Sequence, residues 1–134
     1  MRNLVTLAVA GLLASGCATT ATSDSGALTG SEWRITQIGG VDVTPNSHAA
    51  IGFGADGRFY GNASCNRMSG TYRVDGSALS LNSAGLTRML CDPAEMEQER
   101  ELVELLGQVS SYQIGPGGSL VLTTRSGAHI VASR

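Results

Sequence analysis

Apolar and polar residues alternate along most of this chain in short runs. Trp33 and Ile35 alternate with Arg34 and Thr36 until Gly39-Gly40 breaks the run. Ala49, Ile51 and Phe53 alternate up to Ala55-Asp56-Gly57, and Phe59-Tyr60-Gly61 resumes beyond it. Residues 71–74 lead through Asp75-Gly76 into Leu79-Ser80-Leu81. Residues 111–114, 120–123 and 128–131 form three more runs, parted by Gly115-Pro116-Gly117-Gly118 and Ser126-Gly127. Period-two alternation broken by glycine predicts short antiparallel strands on tight turns. Asp56-Gly57 predicts a hairpin turn with positive φ at both central residues.

One segment has a different period. Asp92-Pro93-Ala94-Glu95 reads as a helix start, with Asp92 as cap, Pro93 at the first helical position and Glu95 at the capping-box position. Met96, Leu102, Val103, Leu105, Leu106 and Val109 recur at helical spacing, and Glu97, Glu101 and Glu104 fall mostly on the other face. These acids read as a solvated face, and the helix is expected to end near 107–110. The expected fold is mainly β with one helix, an α+β arrangement. It is a curled, partly barrel-like antiparallel sheet with one amphipathic helix packed on it.

The first residues follow another order. Arg2 supplies a positive charge, residues 4–13 are nearly all apolar, and Ala14-Ser15-Gly16 are small before Cys17. That is the order of a secretory signal. About ten apolar residues make a helix of about 15 Å, half the roughly 30 Å hydrocarbon core, so this run is too short to span a membrane. Ala14-Ser15-Gly16-Cys17 resembles a lipobox, with Ala14 where the commonest form has Leu. Ordinary signal peptidase, which accepts Ala14 and Gly16, is the alternative. The three cysteines, Cys17, Cys65 and Cys91, favour lipidation, because acylating Cys17 leaves an even number of thiols. The expected organisation is a signal peptide at 1–16, a flexible tether from lipidated Cys17 at 17–30, and one domain at 31–134. Ala18 after Cys17, rather than Asp, looks like a lipoprotein sent to the outer membrane, facing the periplasm.

Charge narrows the partners. The formal net charge is −2 and the nine basic residues are all Arg. They form no basic stripe, so nucleic acid is not implied. They form no polybasic patch either, so membrane attachment rests on acyl chains at Cys17. The protein is expected to be a monomer without a cofactor.

Two stretches are the most specific in the chain: Gly61-Asn62-Ala63-Ser64-Cys65-Asn66-Arg67-Met68-Ser69-Gly70-Thr71-Tyr72 and Gly85-Leu86-Thr87-Arg88-Met89-Leu90-Cys91. Both resemble the META domain family, closely its heat-shock-protein HslJ-like lipoproteins. There, Cys-Asn-Arg and Ser-Gly are paired with a downstream Thr-Arg-Met and Cys, followed by Pro and a helix, as in Pro93 and Met96-Glu97-Gln98-Glu99 here. The resemblance runs from about Leu28 to the C-terminus. It implies a compact, partly barrel-like sheet with one helix, an envelope location, and links to heat stress or antibiotic tolerance. It implies no catalytic reaction. Asn66, Arg67, Gly70, Thr87, Arg88 and Met89 are therefore candidate binding or motif residues, with no catalytic role to carry over.

The cysteine pair also has its own physical case. Disulfides persist in an oxidising compartment, and a Cys65–Cys91 bridge would close a loop of about 27 residues, stabilising by about 3.5 kcal/mol in the chain-entropy model. Free thiols are the alternative. A Cys nucleophile with His48 or His129 as base, or a zinc site from the same four residues, lacks the expected spacing. Arg67 and Arg88, each close to a cysteine, suit a small anion or a partner. The bland alternative has them and Asn66 bonding backbone carbonyls and helix acids such as Glu95 or Glu99. Asn62-Ala63-Ser64 matches a glycosylation sequon by accident. The expected function is a non-enzymatic, lipid-anchored envelope protein. It would support envelope integrity or stress tolerance through a protein or membrane-component interaction. The alternatives are a small carrier of an apolar ligand, or an enzyme inhibitor on a tether.

Overall fold

The computed structural model describes Gly11, Gly16 and residues 25–134. Nine strands and one helix follow in order: β1 Trp33–Ile38, β2 Val41–Asp42, β3 Ala50–Phe53, β4 Arg58–Asn62, β5 Arg67–Asp75, β6 Ala78–Leu86, α1 Pro93–Leu106, β7 Val109–Ile114, β8 Leu120–Thr124 and β9 His129–Ser133. All neighbouring strands are antiparallel, in the order β2-β1-β3-β4-β5-β6-β7-β8-β9. β1 also pairs with β9, with Arg34 opposite Ser133 and Ile38 opposite Ile130, so eight strands close into a barrel and β2 extends it.

Alternation places every second side chain inside. In β5, Met68, Gly70 and Tyr72 are buried while Arg67, Ser69, Thr71 and Arg73 face out. An eight-stranded barrel is just wide enough for side chains to fill it. Trp33, Ile35, Ile51, Phe53, Phe59, Leu79, Leu120, Leu122 and Ile130 do so. Phe53 and Tyr72 meet edge to face at 5.0 Å.

The turns differ from the expected hairpin in one respect. Gly57 takes φ 81° and Gly76 takes φ 60°, but the only non-glycine residues with positive φ among those described are Asn46 and Ser64. Asp56 is therefore not a left-handed turn residue; its Oδ1 accepts from Arg58 N at 3.1 Å. β5 and β6 extend well past the alternating runs, to Arg67 and Leu86. Their extra residues are small and polar, which hid them as strands.

Helix α1 starts at Pro93 as expected, but Asp92 caps it without a side-chain hydrogen bond. It ends at Leu106, and Val109 opens β7. Leu102 and Leu106 join the core, each contributing roughly 1.5–3 kcal/mol by burial. Gln98 fastens the helix to two loops: its Oε1 accepts from Thr44 N at 2.8 Å, and its Nε2 donates to Ser47 Oγ and Ser64 Oγ at 2.9 Å each.

The domain begins earlier than residue 31. Leu28 is fully buried, its carbonyl accepts from Trp33 Nε1 at 3.0 Å, and Thr29 bridges to Phe53. Arg134 lies over the Trp33 ring at 4.1 Å and donates to the Ala27 and Thr29 carbonyls. The last residues of the expected tether are thus part of the fold, because Leu28 offers an apolar side chain that the barrel buries. The signal segment and Cys17 lie outside the described residues apart from Gly11 and Gly16.

Candidate functional site

The two motif stretches meet beside the N-terminal half of α1. Cys65 and Cys91 are joined in a disulfide with Cα atoms 6.0 Å apart. Next to it, Asn66 is 2% exposed and uses every hydrogen-bonding position of its side chain. Its Nδ2 donates to Met89 O at 3.1 Å and to Glu99 Oε2 at 2.8 Å. Its Oδ1 accepts from Met89 N at 2.6 Å and Thr87 Oγ1 at 3.0 Å. Turning the amide over would aim its oxygen at a carbonyl and a carboxylate, so the partners dictate the orientation.

Glu99 was expected as a helix acid bonding Asn66 or the arginines. It is 5% exposed and faces Asn66 alone of these, with Asn66 N donating to its Oε1 at 2.6 Å. Backbone and side chain of one residue thereby grip both carboxylate oxygens. A buried carboxylate without such donors would be costly. Thr87 adds a further tie, since its Oγ1 accepts from Arg67 N and its own N donates to Arg67 O, both at 3.0 Å.

Gly70 and Asn62 have local reasons. A Cβ on Gly70 would lie 2.1 Å from Asn82 O and 2.5 Å from the Phe59 ring, so only glycine lets β5 approach β6 and the core there. Asn62 Oδ1 accepts from Ser64 N at 2.9 Å, a local turn that steers the chain into Cys65.

The remaining motif residues point away. Arg67, Arg88 and Met89 are exposed, and neither arginine side chain has a hydrogen bond or ion pair among the described residues. The only ion pair there is Arg100 with Glu97 on the outer face of α1; it lowers the Glu97 carboxyl below its usual range through the hydrogen bond and the charge of Arg100. Arg67 lines an open groove of about 780 Å3 with Glu32, Tyr60, Ser69, Leu86 and Thr87, which Arg88 does not line. The two arginines are thus not gathered in one pocket. The helix acids hold neither of them, so the bland expectation is right for Asn66 alone.

Among the described residues no group of three His, Cys, Asp or Glu side chains is placed to hold a metal. His48 is exposed, and His129 Nδ1 lies 3.1 Å from Thr123 Oγ1. With both thiols in the disulfide, neither cysteine is a nucleophile. A carrier of an apolar ligand would need room inside the barrel, where the buried side chains named above lie.

Comparison with known proteins agrees with this frame. Residues 26–134 match the model of a family described as the META domain. No curated protein matches the chain. A protein from Burkholderia xenovorans solved by NMR is 18% identical, with a TM-score of 0.66 over 99% of this chain and 97% of that one. A DUF4847 family protein from Bacteroides vulgatus is 17% identical, with a TM-score of 0.64 over 81% of this chain and 94% of that one. Likeness at that identity is likeness of fold.

Proposed function

The chain belongs to the META domain family, and on that premise we propose that it is a non-enzymatic binding module of the bacterial cell envelope. In this reading residues 1–16 are removed as a signal peptide. Acyl chains on Cys17 hold the protein at the outer membrane, facing the periplasm. The domain acts there as a monomer without a cofactor, and it supports envelope integrity under heat or antibiotic stress by binding a protein partner.

The observation that carries this reading is the end of β6 and the loop after it. Leu86, Met89 and Leu90 are 36%, 56% and 92% exposed and make up three of the six large apolar side chains exposed among the described residues. A single exposed leucine needs no explanation, but a cluster of them marks an interaction site. The cluster sits on a held backbone: Met89 N and O both bond the Asn66 side chain, and Cys91 is bridged to Cys65. A preformed loop spares a partner the cost of ordering it.

Complementation tests the reading. In cells lacking the protein, a Met89→Asp/Leu90→Asp variant should reach wild-type abundance and keep its disulfide, yet fail to restore tolerance of heat and antibiotics. Full restoration by that variant would reject the reading.

A further inference from the structure

Strand β6 has two edges, and only one is fully used. From Met68 opposite Leu86 to Asp75 opposite Ala78, its whole length pairs with β5. Towards β7 the single paired position is Ala78 with Ser111, supported by Tyr112 N donating to Ser77 O. α1 begins beyond the end of β6 and delivers the chain to β7, which meets β6 only at Ala78. Residues 82–86 therefore present main-chain groups on that side with no strand opposite. All five are exposed.

Natural sheets blunt such edges with lysine, proline, inward-pointing charges or bulges. Asn82-Ser83-Ala84-Gly85 carries no charge and no proline; its one such device is the bulge that leaves Ala84 unpaired between Ser83 and Gly85. Beside the end of this edge runs a groove of about 690 Å3, lined by Leu86, Pro93, Met96, Arg100 and Val103, with Glu97 and Glu104 among its acids. Its three carboxylates, Glu97, Glu99 and Glu104, outnumber its one cation, Arg100, which pairs with Glu97 and also lies in the field of Glu104. Five strand residues span about 16 Å, and Leu86 at their end also lines the groove.

We propose that the 82–86 edge of β6, with the apolar groove beside α1, accepts an extended peptide segment of a partner protein as an added strand, one that alternates apolar and basic residues. Its backbone fills the vacant hydrogen-bonding row, its apolar side chains enter the groove, and its basic residues meet the acids of α1. This deepens the partner-binding reading and rests on it for the partner being a protein.

The test uses the mature domain, uniformly 15N-labelled, and a short capped peptide of alternating valine and arginine. Amide protons within 82–86 should exchange on the order of tenfold more slowly when the peptide is bound, with shifts at Met96 and Val103. A valine–glutamate peptide should bind at least about tenfold more weakly at low salt. Ala84→Pro and, separately, Met96→Glu should each abolish the protection; the wild-type exchange measurement stands even if either variant misfolds. Unchanged exchange at 82–86, or protection confined to the β2 edge at Val41–Asp42, would overturn the proposal. So would protection that appears without peptide as protein concentration rises, because a second copy would then be the occupant. If Leu90 variants fail in complementation while the peptide leaves 82–86 untouched, strand addition falls alone. If they complement fully, the broader reading falls whatever the peptide does.

Discussion

Asn66 and Arg67 are adjacent in the chain and opposite in fate. Asn66 is sealed, with all four side-chain hydrogen-bonding positions occupied. Arg67 gives only its backbone to the frame and leaves its guanidinium in an open groove. The second motif divides the same way. Thr87 and Cys91 turn inward to Asn66 and Cys65, while Arg88, Met89 and Leu90 turn out. A motif can thus hold two kinds of residue for two reasons: an inner set builds a frame, and an outer set is displayed on it. Treating the whole motif as a binding site would overlook the first kind.

Substitutions can break or sharpen that division. The largest effect is expected from Cys65→Ala/Cys91→Ala, which should lower stability by about 3.5 kcal/mol in urea denaturation. A loss under about 1 kcal/mol would mean that the frame does not depend on the bridge. Next comes Asn66→Ala. It removes the Nδ2 donor to Glu99 Oε2 and every side-chain bond to Met89 and Thr87, leaving Glu99 only the backbone N–H, and should cost about 3 kcal/mol in the same assay.

A smaller effect tests the core at the far end of the first motif. Tyr72 is buried and donates its hydroxyl to Gly54 O at 2.6 Å; burial first, and Asp56 second, raise its phenol above the ordinary value of 10.0. The folded state therefore holds this proton more tightly than the unfolded chain. The contribution is complete below about pH 10 and declines as pH rises through the raised value. Tyr72→Phe should cost about 1 kcal/mol at neutral pH and flatten the alkaline decline. Thermal melts across the alkaline range check both points. The smallest effects belong to the outer set. Arg67→Ala, Arg88→Ala and Leu90→Ser should each change stability by less than about 0.5 kcal/mol. A larger loss from any of them would move that residue into the frame.

Much of the barrel was legible beforehand. Alternation marked six of the strands now numbered β1, β3, β4, β7, β8 and β9, and the Asp92-Pro93 start located α1 to the residue. The first halves of β5 and the second half of β6 were not legible, because Ser69, Gly70, Asn82, Ser83 and Gly85 have the composition of a loop. They are strands because β5 and β6 approach too closely there for larger side chains at Gly70. Glu99 was named as a possible bonding partner, but its burial was not legible, for a related reason. On a helix of many acids its composition is that of a solvated face, and only the proximity of Asn66, 33 residues earlier, makes it an interior residue.

Local signals therefore determined the class of fold, the helix start and the two motif stretches, since periodicity and capping act over a few residues. Cysteine parity suggested the bridge that the structure contains. Tertiary structure alone decided three things: that β1 closes onto β9, that Glu99 is buried against Asn66, and that β7 leaves the far end of β6 without a partner. Each depends on which distant segments become neighbours. That choice is made by register and by packing of the whole core, and no window of the sequence contains it.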